Sequence, residues 1–128
     1  MNYNTFPEWS QEVKRLNGGI GVDVTLDIAG TDTIEQSILS VKQHGFVGLI
    51  GLMTGTQLTI DLIPLITNYV RLLAYSVGNA EELHNFVNAL EKNLTQPVID
   101  SVFPIEKVQE AFQRFNSGKA FGKVVITF

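Results

Sequence analysis

Three apolar segments of strand length, spaced about one helix apart, constrain the fold of this 128-residue chain more than any other feature. They are Val22–Ile28, Phe46–Leu52 and Val70–Val77. The middle segment contains only apolar residues and glycine, which is typical of a strand covered on both faces of a parallel sheet. Alternating strands and helices with connections this long indicate parallel strands joined by crossovers. We therefore predict an α/β fold.

Helical patterns fill the intervals between these segments and continue beyond them. Asn79 is expected to cap a helix that carries Leu83 and Phe86 on one face. Asp32 and Glu35 have the spacing of a capping box at the start of an earlier helix. The patterns predict helices near 7–16, 32–45, 61–67, 79–92 and 104–115, an extended segment at 97–103 and a closing strand at 123–128.

Composition excludes several classes of function. Apolar residues make up 45% of the chain and charged residues 17%, so disorder is not expected. The net charge is −4 and the nine basic residues form no stripe, which argues against a nucleic-acid partner. No stretch resembles a signal peptide or a membrane span, so we expect a cytoplasmic protein without a membrane partner. There is no cysteine for a disulfide or a thiolate metal site.

A glycine-rich phosphate loop, which a dinucleotide-binding sheet normally carries after its first strand, is missing. No G-x-G-x-x-G occurs in the chain. That loop supplies the backbone N–H groups that hold the pyrophosphate of the cofactor. We therefore predict a partial Rossmann-like parallel sheet, the second half of a doubly wound nucleotide-binding domain, followed by a C-terminal strand–helix–strand segment.

The chemically active side chains form no catalytic pattern. Asp23 and Asp27 are four residues apart on one predicted strand and are expected to face the same side. A general acid–base pair is conceivable there, but a polar strand edge is the favoured interpretation. His44 and His84 lack metal-binding spacing, and no serine lies in a G-x-S-x-G elbow. We predict neither a catalytic residue nor a metal site.

Several strings of residues, in order along essentially the whole chain, resemble the medium-chain dehydrogenase/reductase superfamily. The nearest branch is that of the zinc-type alcohol dehydrogenase-like proteins and quinone oxidoreductases. The strings are Asn2-Tyr3, Trp9 to Leu16, Gly21-Val22-Asp23, Asp27-Ile28-Ala29-Gly30, His44-Gly45-Phe46 to Gly51, Gln96 to Asp100 and Ala120 to Ile126.

The resemblance covers only the second half of such proteins. It implies one domain in which residues 1–95 form the rear half of the cofactor domain, with the three segments as its fourth, fifth and sixth strands. Residues 96–128 would be the part that rejoins the catalytic domain. An intact relative is expected to transfer hydride between NAD or NADP and an alcohol, carbonyl or quinone. These 128 residues lack zinc ligands, and we expect them to be inactive alone and to bind cofactor feebly.

The resemblance also implies a cofactor site. The turn after the first predicted strand would lie near the ribose, the turn after the second would face the nicotinamide, and one lysine would lie near the phosphates. The alternative interpretation is structural: Gly30 and Gly51 would be ordinary turn residues, and Lys123 would be a solvated lysine at a strand edge. The residues are Ile28, Ala29 and Gly30 for the ribose, Ile50, Gly51, Leu52 and Met53 for the nicotinamide, and Lys123 for the phosphates.

Partners follow from the expected sheet edges. In the family the sixth strand often pairs with its counterpart in a second copy, so we expect a homodimer through Val70–Val77, with Leu72, Leu73 and Tyr75 at the interface. Val22–Ile28 would form a second unpaired edge. A separate polypeptide that carries the missing half is another possible partner. The alternative function is a non-enzymatic interaction module that keeps the fold without binding cofactor.

Overall fold

The structure is a computed structural model, and it describes residues 2–3 and 5–128. The chain divides into two compact units, Met1–Val77 and Gly78–Phe128. Each unit is described by itself below. The predicted functional boundary between residues 95 and 96 refers to the architecture of relatives and stays a prediction.

The first unit contains a three-stranded parallel sheet in the order β1-β2-β3. This arrangement confirms the predicted α/β fold with parallel strands. The strands end three or more residues before the predicted apolar segments do in two of the three cases. In chain order the elements are α1 (Trp9–Leu16), β1 (Val22–Asp27), α2 (Ile34–Ser40), β2 (Val41–Leu49), α3 (Leu62–Thr67) and β3 (Arg71–Ala74).

The core of the first unit lies where α2 packs against the sheet. Ile34, Ile38, Val41 and Val47 are buried there and form one contact cluster. Half-buried apolar side chains from all three strands and from α3 pack around this cluster. Burial of such side chains is the main term that stabilises the unit, because apolar area leaves water.

The start of β2 differs from the prediction. The helix expected to run to residue 45 ends at Ser40, whose hydroxyl donates to the carbonyl of Gln36 over 2.7 Å. Val41 then pairs with Val22 and begins the strand. His44 has a φ of 62°, and its N–H donates to the carbonyl of Asn68 over 2.8 Å. The first residues of β2 are therefore irregular, and the spacing of apolar residues in the sequence does not predict this irregularity.

The predicted capping box at the start of α2 is also wrong. Thr33 occupies the N-cap position of α2, but its side chain makes no capping hydrogen bond. The hydroxyl of Thr33 is instead 2.9 Å from a carboxylate oxygen of Asp27 and 3.3 Å from the carbonyl of Gly30. The residue therefore ties the helix to the preceding strand and turn.

Both outer strands of the sheet have one unpaired side within the part of the chain that the structure describes. On β3, Leu72 packs against the core cluster and is not available to a partner. Leu73 and the following Tyr75 are exposed. On β1, Val24 and Leu26 are exposed.

The second unit contains two parallel strands with a helix between them in sequence. As predicted, Asn79 caps the helix α4 (Ala80–Lys92). The cap is a capping box, a feature not predicted at this helix: the side-chain oxygen of Asn79 accepts from the N–H of Glu82 over 2.9 Å, and the Glu82 carboxylate accepts from the N–H of Asn79 over 2.7 Å. The elements are α4 (Ala80–Lys92), β4 (Ile99–Pro104), a 3₁₀ turn (Ile105–Lys107), α5 (Val108–Asn116) and β5 (Lys123–Thr127).

An ion pair fastens the second unit. The guanidinium of Arg114 on α5 donates two hydrogen bonds, of 2.8 and 2.7 Å, to the Asp100 carboxylate on β4. The N–H of Phe121 donates to the same carboxylate over 2.9 Å. Hydrogen bonds to the Asp100 carboxylate hold its pKa far below its usual range. The bond from Arg114 has the largest effect, and those from Phe121 and Ser101 follow. The pair joins β4, α5 and the loop before β5.

Among the residues that the structure describes, no helix has the length and apolar character needed to cross a bilayer.

Candidate functional site

The carboxyl ends of the three strands of the first unit lie at one edge of the sheet, because the strands are parallel and adjacent. Asp27, Leu49 and Ala74 are their last residues. Open α/β sheets bind ligands outside this edge, where backbone groups are free of the sheet. We call the residues that follow these strands, 28–33, 50–57 and 75–77, the carboxyl edge.

Seven of the eight predicted site residues lie at the carboxyl edge: Ile28, Ala29, Gly30, Ile50, Gly51, Leu52 and Met53. The structure thus brings together the turns predicted for the ribose and for the nicotinamide. Lys123 is the first residue of β5 in the second unit, where its N–H donates to the carbonyl of Val98 over 2.8 Å. The roles of all eight in binding a cofactor stay predictions.

The turn after β1 is organised by Asp27. One carboxylate oxygen, Oδ1, accepts from the N–H of Gly30 over 2.8 Å and from that of Ala29 over 3.2 Å. It also accepts from the hydroxyl of Thr33 over 2.9 Å. The other oxygen, Oδ2, accepts from the hydroxyl of Ser37 on α2 over 2.7 Å. The carboxylate therefore binds the turn and the first part of α2 together.

Asp27 is buried, with 4% of its surface exposed, so the predicted polar strand edge is wrong for this residue. Burial raises the pKa of the Asp27 carboxyl, whereas four hydrogen bonds, led by that from Ser37, lower it, and the net pKa lies below its usual value. The group is therefore ionised at neutral pH. None of the ion pairs found among the described residues involves it. Its charge is met by neutral donors alone.

The turn after β2 lies directly on the turn after β1. The carbonyl of Asp27 accepts from the N–H of Ile50 over 2.9 Å and from that of Gly51 over 3.2 Å. A Cβ at Gly51 would overlap the carbonyl group of Ile28, so only glycine fits this close approach.

Thr54 adds a second connection between the two turns. Its N–H donates to the carbonyl of Ala29 over 2.9 Å, and its hydroxyl lies 3.1 Å from the same carbonyl. The Thr54 hydroxyl also accepts from the N–H of Asp32 over 3.0 Å. Further along, the hydroxyl of Thr31 donates to the carbonyl of Gln57 over 2.7 Å. The two turns form one connected body.

A cavity of about 720 Å³ opens beside this body. Its volume lies in the range of small-molecule sites. Ile28, Ala29 and Met53 of the predicted residues line it, whereas the other predicted residues of the edge are outside its lining. The remaining lining consists of Tyr3, Pro7, Trp9, Leu26, Asp27, Asp32, Thr33, Ser37 and Thr54. This lining has aromatic and hydroxyl groups and two carboxylates, but no basic side chain, so it suits an uncharged or cationic ligand group.

Sequence reasoning missed the polar residues that shape the edge. Asp27, Thr33, Ser37 and Thr54 were not among the predicted site residues, although a strand-ending aspartate followed by hydroxyl residues at six and ten positions was visible. The end of β3 was missed as well. The N–H of Tyr75 donates to the carbonyl of Leu49 over 2.9 Å, which brings residues 75–77 to the same edge. The signal that identifies residues 75–77 is the parallel direction of the three predicted strands, which places the carboxyl ends of all three at one edge of the sheet.

The described residues contain no group of three or more histidine, aspartate or glutamate side chains placed to hold a metal ion. Cysteine is absent from the sequence. The donor set of a zinc site, which takes cysteine, histidine or carboxylate ligands in tetrahedral arrangement, is therefore not assembled by these residues.

Comparison with known proteins gives a consistent result. The family model of the zinc-binding dehydrogenases matches residues 2–126. A zinc-type alcohol dehydrogenase-like protein of Schizosaccharomyces pombe is 26% identical over 130 residues, which cover 98% of this chain and 38% of that protein. A D-arabinose 1-dehydrogenase (NADP(+)) of Saccharolobus solfataricus is 25% identical over 116 residues, which cover 90% of this chain and 33% of that enzyme.

A solved structure agrees with these relatives. The crystal structure of a Sinorhizobium meliloti protein assigned as an alcohol dehydrogenase superposes with a TM-score of 0.81 at 33% identity. The match covers 94% of this chain and 35% of that one. The chain thus spans about a third of the length of each of these three proteins.

Proposed function

This chain belongs to the zinc-binding dehydrogenase family, and we propose that its carboxyl edge forms the nicotinamide-side half of an NAD(P) site. Its resemblance to the C-terminal half of medium-chain dehydrogenase/reductase proteins is confirmed by the family match and by the relatives. Activity, cofactor and partners belong to much longer proteins, and for this chain they are proposals.

One observation carries the proposal. The two turns predicted for the ribose and for the nicotinamide are joined to each other, and both contribute to the wall of the 720 Å³ cavity, through Ile28 and Ala29 on one side and Met53 on the other. A preformed cavity at the carboxyl ends of parallel strands is where an α/β sheet binds a nucleotide. The uncharged sugar and the nicotinamide ring suit its aromatic and hydroxyl lining.

The chain's own residues would bind, orient and exclude water. Ile28, Leu26 and Met53 supply apolar contact area, and the turn backbone fixes where a ring can lie. In a complete relative the bound nicotinamide would supply or accept the hydride. We assign no catalytic residue to this edge, whose described residues assemble no metal-holding group of histidine, aspartate or glutamate, and we expect no turnover by these 128 residues alone.

Binding is tested on the 128-residue chain, labelled with ¹⁵N and titrated with nicotinamide mononucleotide, NADH and NADPH. We expect weak binding that perturbs the amides of residues 28–30 and 50–54, because most affinity for a dinucleotide comes from phosphate contacts made by a glycine-rich loop. Perturbation confined to other residues, or none at millimolar ligand, would favour the alternative of an interaction module that binds no cofactor.

A specific observation favours homodimerisation as a second function. On β3 the outer side pairs with no strand of the described part of the chain, and Leu73 and Tyr75 are 42% and 51% exposed beside it. An exposed apolar edge strand tends to pair with another chain. We propose that two copies pair through Val70–Val77, with Leu73 rather than the core-packed Leu72 at the contact.

Light scattering on two variants tests the dimer. Leu73→Lys should give a monomer, because a lysine at the edge opposes strand pairing. Leu58 is also 42% exposed but lies in a loop of the same unit, so Leu58→Lys should remain dimeric. A wild-type chain that is monomeric throughout the concentration series refutes the proposal.

Two further proposals complete the set. The unpaired side of β1 would accept a separate polypeptide that carries the first half of a cofactor domain, which co-purification of the two chains would test. The location is proposed to be cytoplasmic, which fractionation of the producing cells would test.

A further inference from the structure

We infer that Asp27 is the positioning residue of the carboxyl edge and that it holds both of the turns proposed to face the cofactor. Its carboxylate binds the turn after β1, and its backbone carbonyl binds the turn after β2. The assignment of a ligand to these turns rests on the proposed function, whereas the positioning itself is a property of the free chain.

The hydrogen bonds show why one residue can set the spacing of two turns. Asp27 receives the N–H groups of Ala29 and Gly30 on its side chain and those of Ile50 and Gly51 on its carbonyl. The four amides belong to separate segments of the chain, and Asp27 is the residue they share. A change in the side-chain rotamer of Asp27 would release the amides of Ala29 and Gly30 directly, and it would reach the amides of Ile50 and Gly51 only through the backbone that the turn after β1 shares with the carbonyl of Asp27.

The carboxylate is suited to this task in a way that related side chains are not. Its two oxygens receive four donors, three on Oδ1 and one on Oδ2. Asparagine keeps one acceptor oxygen and replaces the other with a donor, so it would retain the turn and lose the bond from Ser37. Alanine would leave all four donors without this acceptor.

The arrangement has a consequence for recognition. The N–H groups of Ala29 and Gly30 are already donated to Asp27, and the carbonyl of Ala29 already accepts from Thr54. A sugar at this turn is therefore recognised by contact with Ile28 and Ala29 rather than by hydrogen bonds to those amides. Asp27 lines the cavity and has no ion-pair partner among the described residues, so its negative charge disfavours an anionic group at this position.

Hydrogen exchange of the ¹⁵N-labelled chain, without any ligand, tests the inference. In Asp27→Ala the amides of Ala29 and Gly30 should exchange at least about tenfold faster than in the wild type, since each loses a charged acceptor. The Gly30 amide proton should move upfield, and the resonances of Ile50 and Gly51 should shift with it. Asp27→Asn should restore most of the protection at Ala29 and Gly30.

A residue that only stabilises the fold would behave differently. Exchange at Ala29 and Gly30 would then accelerate by no more than the factor measured at the fully buried Val47, whose amide reports the loss of stability of the whole unit, and the asparagine variant would give no selective rescue at the turn. Asp23→Ala is the matched control, because this aspartate is on the same strand, is 79% exposed and pairs with Lys42. It should leave the four amides unchanged.

The inference is overturned if Ala29 and Gly30 keep their protection in Asp27→Ala, or if Ile50 and Gly51 do not respond. These readouts need no cofactor, so they can fail while the cofactor titration succeeds. Conversely, selective loss of protection together with no response to NADH would uphold the positioning role and reject the proposed ligand.

Discussion

Two aspartates with little exposed surface, one in each unit, bind their surroundings in opposite ways. Asp100 receives the forked guanidinium of Arg114 and is neutralised by a full positive charge. Asp27 receives two backbone amides and two hydroxyls, and no cation pairs with it among the described residues. Both carboxylates are hydrogen-bonded on both oxygens, yet only one of them keeps its charge uncompensated.

The difference indicates what each aspartate is for. A bidentate arginine–carboxylate pair joins β4 to α5 and suits a fastening role, because its geometry is fixed and its charge is cancelled. A carboxylate held only by neutral donors, beside a cavity, sets an electrostatic field there as well as a backbone shape. We therefore regard the region around Asp27 as the functional one and that around Asp100 as structural.

The strongest test of the connected turns in the first unit is Gly51→Ala. The added Cβ would overlap the carbonyl of Ile28, so the two turns must separate, and we expect the free energy of unfolding of this unit to fall by about 3 kcal/mol. Trp9 is the only tryptophan and lies in the first unit, so its fluorescence during urea denaturation reports on that unit.

The control for this substitution is Gly78→Ala in the second unit. The nearest neighbours of a Cβ there would be side-chain atoms of Glu82, a carboxylate oxygen at 3.1 Å and the Cβ at 3.4 Å, with no backbone atom among the three nearest. The transition monitored by Trp9 should stay where it is. An unchanged transition for Gly51→Ala would show that the turns are not held in close contact.

The next largest effect is expected for Asp27→Ala. Removing an acceptor that serves four donors should lower the free energy of unfolding of the first unit by about 2–3 kcal/mol, and Asp27→Asn by about half as much. Trp9 fluorescence in urea measures both. Equal losses for the two variants would contradict the comparison, since the asparagine keeps the oxygen that receives the turn.

Arg114→Lys should have a smaller and local effect in the second unit. Lysine keeps the charge but cannot present two parallel donors to Asp100, so the loop before β5 should loosen. Hydrogen exchange of the Phe121 amide, which donates to the same carboxylate, should become several-fold faster. The Trp9 transition should not move, and a shift of it would mean that the ion pair is not confined to a fastening role in its own unit.

The mildest test compares the two carboxylates during acidification. Both pKa values lie below the ordinary 3.8, so each group stabilises its unit above that pH and the contribution is lost as the pH falls through the folded-state pKa. The pKa of Asp100 is lowered further, because a guanidinium faces it. Carboxyl ¹³C shifts should therefore show Asp27 taking up its proton before Asp100, and the reverse order would break the comparison.

Local sequence signals predicted much of this structure. The apolar run beginning at Phe46 predicted a covered parallel strand, and β2 is the central strand of the parallel sheet, with Val47 and Gly48 buried. Asn79 caps α4 as predicted, because every atom involved lies within one turn of helix. The turns containing Gly30 and Gly51 lie at one edge, as expected from parallel strands.

Other features depended on contacts between segments distant in sequence. Alternation predicted one polar strand edge for Asp23 and Asp27, but the surroundings of the two side chains differ. Asp23 stays exposed with Lys42, while Asp27 is buried against hydroxyls from α2. No period within a strand encodes which helix will lie over it, so the aspartate that organises the site could not be identified from its spacing.

The two outer strands of the sheet in the first unit are β1 and β3, and which of them pair determines how copies of the chain could associate edge to edge. If the outer side of β3 meets the same strand of another molecule, a two-fold axis closes the pair and growth stops. If it meets β1 of another molecule, no axis closes the contact and each addition offers a fresh β1, so a fibre lengthens without limit. The β3–β3 pair proposed above predicts a closed dimer, whereas a concentrated stock of these 128 residues that turns viscous would indicate the open contact between β3 and β1.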